Sequence, residues 1–258
     1  MTGSFAAPPA TEEELLARAR RLAGQRLGEV ARSVGVEPPA DLRRAKGFTG
    51  QLLERVLGAT ARSRAAPDFE ELGIELKTLP VGPGGVPVES TFVCTIDPRA
   101  IGDVEWETSL VRAKLARVLF LPVEGERRIP VAERRLGTAL LWTPSSEQEA
   151  ALRADWEELA GILGRGELDG VTGHMGTWLQ VRPKAEHSRA RRRGTERDGT
   201  PVATLPRGFY LRARFTAALL AEHFALGPDV GRSGRRGRLS AERSPDVRDR
   251  DDRHHHRE

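Results

Sequence analysis

Between residues 12 and 22 apolar and charged positions follow the period of an amphipathic helix, opened by the capping-box pattern Thr11-Glu12-Glu13-Glu14 and stopped by Gly24. Leu27 to Val34 reads as a second short helix, and Gln51 to about Leu57 as a third, entered through Lys46-Gly47-Phe48-Thr49-Gly50. At Leu72 the period changes to two. Leu72-Gly73-Ile74-Glu75-Leu76-Lys77-Thr78-Leu79 alternates as a strand ending at Pro80, and Gly82-Pro83-Gly84-Gly85 is a turn by composition. Thr91 to Ile96 is β-branched and aromatic, which predicts a second strand in a hairpin with the first. Glu107 to Ala116 then reads as a helix, and Val118 to Val123 and Leu136 to Trp142 as strands. A second capping box, Ser146-Glu147-Gln148-Glu149, opens a helix to about Leu163 whose buried stripe is Leu152, Trp156, Leu159 and Leu163. Thr177 to Arg182 and Gly208 to Arg212 are short strands around a basic stretch long enough for a functional or mobile loop, and a last helix runs from about Thr216 to Phe224. Beyond Gly227 almost no apolar residue remains to offset ordering entropy, so 227–258 is expected to be a disordered tail behind a folded body at 1–226. The class predicted is α/β.

Length, 258 residues, permits one large domain or two lobes. No apolar run is long enough for a bilayer and the N-terminus has no signal-peptide pattern, which predicts a cytoplasmic protein. The single cysteine, Cys94, sits in an apolar run and rules out a disulfide or zinc framework. The net charge of +4 says little about partners, since half of it belongs to the tail, with nine Arg against seven Asp and Glu. The densest basic cluster is Arg182 to Arg193, six basic residues and one acid, which suits a phosphate-contacting loop and a solvated loop equally. More telling, 37 of the 41 basic residues are Arg. The four lysines, Lys46, Lys77, Lys114 and Lys184, are candidates for sites where a compact ammonium cannot be exchanged for a planar guanidinium.

The candidate chemistry lies in Pro67-Asp68 and, after six intervening residues, Glu75-Leu76-Lys77. Strand positions i and i+2 share a face, so Glu75 and Lys77 emerge together while Ile74 and Leu76 point the other way. Asp68 can bring a second carboxylate alongside Glu75. Two carboxylates with waters and a substrate phosphate suffice for Mg²⁺, and a lysine beside them completes the equipment of a metal-dependent phosphodiesterase. Glu54 lies in an apolar turn, either at the solvent edge or aimed into a site. No Gly-x-Ser-x-Gly elbow or zinc-spaced His pair competes. His254-His255-His256 is too local to be a dedicated metal site.

Several further blocks accompany this core in order: Lys46 to Glu54, Glu89-Ser90-Thr91-Phe92-Val93-Cys94, Trp106 to Ser109, Val111-Arg112-Ala113-Lys114-Leu115, Pro122 to Arg127, Arg182-Pro183-Lys184-Ala185 and Thr204-Leu205-Pro206-Arg207-Gly208-Phe209-Tyr210-Leu211. Together they resemble the MutH family, the strand-nicking endonucleases of methyl-directed DNA mismatch repair, over about residues 11–226. The resemblance implies a restriction-endonuclease-like fold, a mixed central sheet flanked by helices, in two lobes around a DNA cleft. It implies nicking of the unmethylated strand 5′ of G at GATC in hemimethylated or unmethylated duplex DNA, by a monomer activated by the ATPase MutL after MutS finds a mismatch. By position it makes Asp68, Glu75 and the Leu76 carbonyl ligands of Mg²⁺, for which Mn²⁺ substitutes, and Glu54, Lys77 and Lys114 the remaining active-site residues. Lys46, Phe92, Arg182, Pro183, Lys184 and Tyr210 become DNA contacts, with Tyr210 sensing the adenine methyl group. All four lysines fall on such positions. The stretch Arg189 to Arg193 and the tail have no counterpart in that pattern.

Two other readings stay open at this level. One is a restriction endonuclease of the same fold that makes double-strand cuts without a partner. The other is a catalytically silent DNA-binding module, against which the presence of Asp68, Glu75 and Lys77 together argues.

Overall fold

A computed structural model describes residues 6–42, 47–61, 65–167, 170–184, 192–195, 201–204 and 206–224, with backbone alone at 192–195 and 201–204. Three helices lead: α1 (Glu12–Leu22), α2 (Leu27–Ser33) and α3 (Phe48–Leu57). Thr11 caps α1 by accepting the Glu14 N–H at 3.2 Å. The reciprocal arm of the box reaches Ala10 instead of Thr11, with Glu14 Oε2 accepting that N–H at 2.8 Å while Oε1 pairs with Arg18.

Strand β1 (Glu75–Val81) pairs in parallel with β3 (Val118–Glu124), Glu75 opposite Val118 and Lys77 opposite Phe120. Strand β4 (Leu140–Trp142) joins the other edge of β3 antiparallel, giving the mixed order β1-β3-β4. This overturns the expected hairpin, because β2 (Thr91–Thr95) belongs to a second sheet. The cause is the composition of β3. It is buried at every position from Val118 to Val123, and a strand apolar on both faces serves only as a central strand. It takes β1 as its parallel neighbour, and the 36 residues from Gly82 to Arg117 are ample for the crossover.

One face of the first sheet packs Ile74, Leu76, Leu119 and Leu121 against α1, α2 and α3. The other packs Leu79, Val118, Phe120 and Trp142 against α5 (Ser146–Gly164), α6 (Ala213–His223) and the second sheet. Leu152, Trp156, Leu159 and Leu163 of α5 are buried as their spacing predicts. Its capping box is formed one residue earlier than expected, between Ser145 and Gln148, because Gln148 Oε1 accepts from both the Ser145 N–H and the Trp142 indole. The predicted helix at 107–116 is a 3₁₀ turn at Trp106–Thr108 followed by α4 (Leu110–Leu115), which Ser109 caps. The strand expected from Leu136 keeps only a single bridge, Val123 to Leu136, before β4 begins.

In the second sheet β8 (Arg207–Leu211) lies between β2 and β5 (Leu179–Pro183), antiparallel to both. The entry to β5 is held by Asp155, 6 % exposed, whose carboxylate accepts the N–H groups of Thr177, Trp178 and Leu179 at 2.6 to 2.8 Å. Arg212 grips the same segment from the side through the carbonyls of Gly173, Met175 and Gly176. Within the basic stretch after β5, β6 (Arg192–Thr195) and β7 (Pro201–Thr204) form a two-stranded antiparallel ribbon. Arg189 to Arg191 and the tail at 227–258 lie outside the described residues. Among the described residues no helix is long and apolar enough to cross a membrane.

Candidate active site

The spacing between Asp68 and Glu75 is a short excursion that closes on itself. Phe69 bridges Ile74, a 3₁₀ turn at Glu70–Leu72 fills the interval, and Gly73 ends it at φ +63°, a conformation that favours glycine. The excursion returns Asp68 to the start of β1, where its Oδ2 accepts the Leu76 N–H at 2.8 Å. The Asp68 carbonyl also accepts from Thr60 and Ala61, tying this corner to the end of α3.

Glu75 is 3 % exposed, so its charge needs close partners. It has two. Lys77 Nζ donates to Oε1 at 2.5 Å, as the shared strand face predicts, and Lys114 Nζ donates to Oε2 at 2.7 Å from α4. Lys114, itself 5 % exposed, also donates to the Ala66 carbonyl at 2.5 Å. One ammonium therefore holds both the second carboxylate and the backbone two residues before the first.

Glu54, on α3, lines the same pocket as Asp68, Glu75, Lys77 and Lys114, which decides between the two orientations its sequence context left open. The pocket encloses about 950 Å³ and is also bordered by Phe92, Cys94, Lys184 and Pro206. Burial raises the Glu54 carboxyl above its ordinary range, and the charges of Asp68 and Glu75 add to the effect against Lys77 and Lys114. Asp68 is raised in the same way, by burial first and by Glu75 next, opposed by the Leu76 N–H and the two lysines. These carboxylates are short of positive charge, the condition a hard cation relieves. Among the described residues no group of three or more His, Cys, Asp or Glu side chains is arranged to hold a metal ion. Asp68 and Glu75 nevertheless satisfy the one or two carboxylates that Mg²⁺ takes beside waters and a substrate phosphate. Burial pushes the Cys94 thiol up to about 12, in keeping with a core residue.

Of the predicted DNA-contacting residues, Phe92, Tyr210, Arg182 and Lys184 gather on one face of the second sheet. Phe92 is directly opposite Tyr210, their rings edge to face at 5.3 Å. The Arg182 guanidinium lies 5.9 Å from the Tyr210 ring centre, and Lys184 Nζ lies 3.6 Å from that of Phe92. Pro183, exposed at the end of β5, faces Arg207. A β-bulge between Phe92 and Cys94 lets Phe92 turn to this face while Val93 and Cys94 both remain in the core. Phe92 and Lys184 border the carboxylate pocket as well, so the two clusters adjoin. Arg182, Pro183 and Tyr210 are beside that pocket and do not line it. Lys46 lies outside the described residues. Gln180, opposite Tyr210, holds a polar-face position in the alternation of Thr177 to Arg182, and only the structure shows that it is buried.

Residues 57–155 match the family model described as DNA mismatch repair enzyme MutH. Proteins named DNA mismatch repair protein MutH are similar over most of the chain. That of Klebsiella pneumoniae is 52 % identical over 225 residues, covering 87 % of this chain and 97 % of the relative. The Salmonella paratyphi C protein is 53 % identical over 219 residues, 85 % and 95 % of the two chains. The Serratia proteamaculans protein is 51 % identical over 217 residues, 84 % and 95 %.

Proposed function

The chain belongs to the MutH family, and from that membership together with the cluster around Glu75 we propose that it is a metal-dependent endonuclease of DNA mismatch repair. Its substrate is duplex DNA carrying GATC, hemimethylated or unmethylated, nicked 5′ of the G on the strand lacking adenine methylation. A MutL-type ATPase switches it on after MutS detects a mismatch, and the enzyme acts as a monomer. The fold is of the restriction-endonuclease type, with residues 1–226 as two lobes and DNA held between them. The two hydrophobic clusters on opposite faces of the first sheet support that division.

The observation that carries the reading is the convergence of Asp68, Glu75, Lys77 and Lys114, from one strand, its preceding turn and a separate helix, at the edge of a pocket shared with Phe92 and Lys184. Asp68, Glu75 and the Leu76 carbonyl would hold Mg²⁺. Bound there, the ion would supply Lewis-acid stabilisation of the scissile phosphate and help to activate water. Lys77 releases Glu75 Oε1 to orient the attacking water and to offset charge building on the phosphate. Lys114 keeps Glu75 Oε2 and the Ala66 carbonyl in position, and Glu54 borders the site as a further polar contact. Arg182 and Lys184 supply phosphate contacts beside the aromatic pair, and Lys46 adds another. Tyr210 packs against the major-groove edge of the adenine, where an N6-methyl group replaces a bare amino donor with bulk.

The test is to purify Asp68→Ala and Glu75→Ala and measure Mg²⁺-dependent nicking and duplex binding side by side. Nicking is expected to fall below about a tenth of the wild-type rate, since metal catalysis contributes several kcal/mol, while binding stays near wild type. Retention of more than that tenth by either variant rules out a ligand role for the residue replaced.

A further inference from the structure

Gln180 is 6 % exposed and sits at the centre of β5, directly opposite Tyr210. Directly opposed residues on neighbouring strands project from the same face, so Gln180, Tyr210 and Phe92 form one row across the three strands. The Gln180 carboxamide donates from Nε2 to Ser90 Oγ at 2.7 Å. Ser90 leads into β2, two residues before Phe92, so it belongs to the opposite edge of the sheet. Since β8 runs between β2 and β5, the two bonded side chains together bridge two strand spacings, about 10 Å, on the face from which Gln180 and Tyr210 project. The half-buried Tyr210 ring has Phe92 at 5.3 Å and the Arg182 guanidinium at 5.9 Å, and it shares its face of the sheet with the Ser90–Gln180 bridge.

A purely structural sheet would place an aliphatic residue at such a buried position, because a buried carboxamide is tolerated only when hydrogen-bonded. We propose that Gln180, held by Ser90, is a positioning residue that acts as a backstop for Tyr210 and so sets how strongly this protein discriminates against methylated adenine. The inference rests on the reading of Tyr210 as the methyl-contacting residue. A ring that can retreat into space accommodates the extra methyl group, whereas a ring backed by a packed, bonded side chain cannot. Gln180 acts through Tyr210 and need not touch DNA.

The experiment uses the full chain with Mg²⁺ on unmethylated and fully methylated GATC duplexes, and reads the ratio of the two cleavage rates for wild type, Gln180→Ala, Gln180→Met and Tyr210→Ser. Gln180→Ala is expected to narrow the ratio by about tenfold, the scale of one lost discriminating contact, and Gln180→Met, which refills the space, to restore most of it. Tyr210 is the only tyrosine, so 3-fluorotyrosine labels it alone. Without divalent cation, its ¹⁹F line in wild type should differ between the two bound duplexes, and in Gln180→Ala the two positions should converge. A wild-type ratio in Gln180→Ala while Tyr210→Ser loses discrimination overturns the backstop and leaves the Tyr210 reading intact. A wild-type ratio in Tyr210→Ser overturns that reading and the backstop with it. Should Gln180→Ala fail to fold, Ser90→Ala carries the same expectation and the same refutation.

Discussion

Replacing Lys114 by Met removes an ammonium that donates at 2.7 Å to Glu75 Oε2 and at 2.5 Å to the Ala66 carbonyl, from a position only 5 % exposed. Breaking a buried ion pair by deleting one partner costs about 3–5 kcal/mol, because the other charge is stranded. Here Glu75 keeps Lys77 on its second oxygen at 2.5 Å, which favours the lower end, about 3 kcal/mol. At roughly 2–4 °C per kcal/mol for a chain of this size, the midpoint of unfolding should fall by about 6–12 °C. The assay is thermal unfolding without divalent cations for wild type, Lys114→Met, Glu75→Gln and the double variant. A neutral amide at position 75 needs no counter-ion, so the double variant should be more stable than additivity predicts, with a coupling of about 1–3 kcal/mol. A Lys114→Met midpoint within about 2 °C of wild type, less than 1 kcal/mol, would refute the reasoning. So would strict additivity, since Lys114 would then be a peripheral charge and not the tie between Glu75 and the turn that carries Asp68.

Two further outcomes follow from the same geometry. Lys77→Arg keeps the charge but should lose most nicking activity, because a planar guanidinium cannot take the place of a compact ammonium 2.5 Å from Glu75 Oε1; single-turnover rates near wild type would reduce Lys77 to diffuse positive charge. Asp68→Asn should unfold at higher temperature than wild type at pH 7 without metal, by about 1 kcal/mol, while losing activity. The sign follows from the raised carboxyl: its contribution to stability is full below the unfolded pKa and is lost as pH rises through the higher folded pKa, leaving a net penalty at neutral pH. The advantage of Asn should therefore shrink as pH falls towards 4, and an advantage that grows on acidification would contradict a carboxyl raised by burial and by Glu75.

Local pattern disclosed what local physics decides. The period-two alternation put Glu75 and Lys77 on one face, and they are in contact; the helical period of α5 named its buried stripe. Composition alone marked Lys114 and Lys184, and both lie on the pocket. Partners chosen across the chain were not legible. Lys114 meets Glu75 from 39 residues away, and Gln180 meets Ser90 from 90. The pairing of β1 with β3 instead of β2 depends on which strand is buried on both faces, a comparison among strands that no single window contains. The bulge that turns Phe92 to the Tyr210 face of its sheet depends likewise on its partner β8. The shared strand face announced Lys77 beside Glu75, whereas no local pattern announced that Lys114 takes the other carboxylate oxygen.

The central claim is strand-selective, metal-dependent nicking, and strand-resolved digestion tests it most directly. Purified protein with Mg²⁺, at matched concentrations of a MutL-type ATPase, is given unmethylated, hemimethylated and fully methylated GATC duplexes, with each strand separately labelled and EDTA controls in parallel. The account predicts a nick 5′ of the G in the unmethylated strand of the hemimethylated duplex, cleavage of unmethylated duplex, little product from the fully methylated one, and none in EDTA. Double-strand cuts made at once and without the partner would assign the chain to restriction-type chemistry on the same site. Binding to every duplex with no cleavage of any would contradict the account outright.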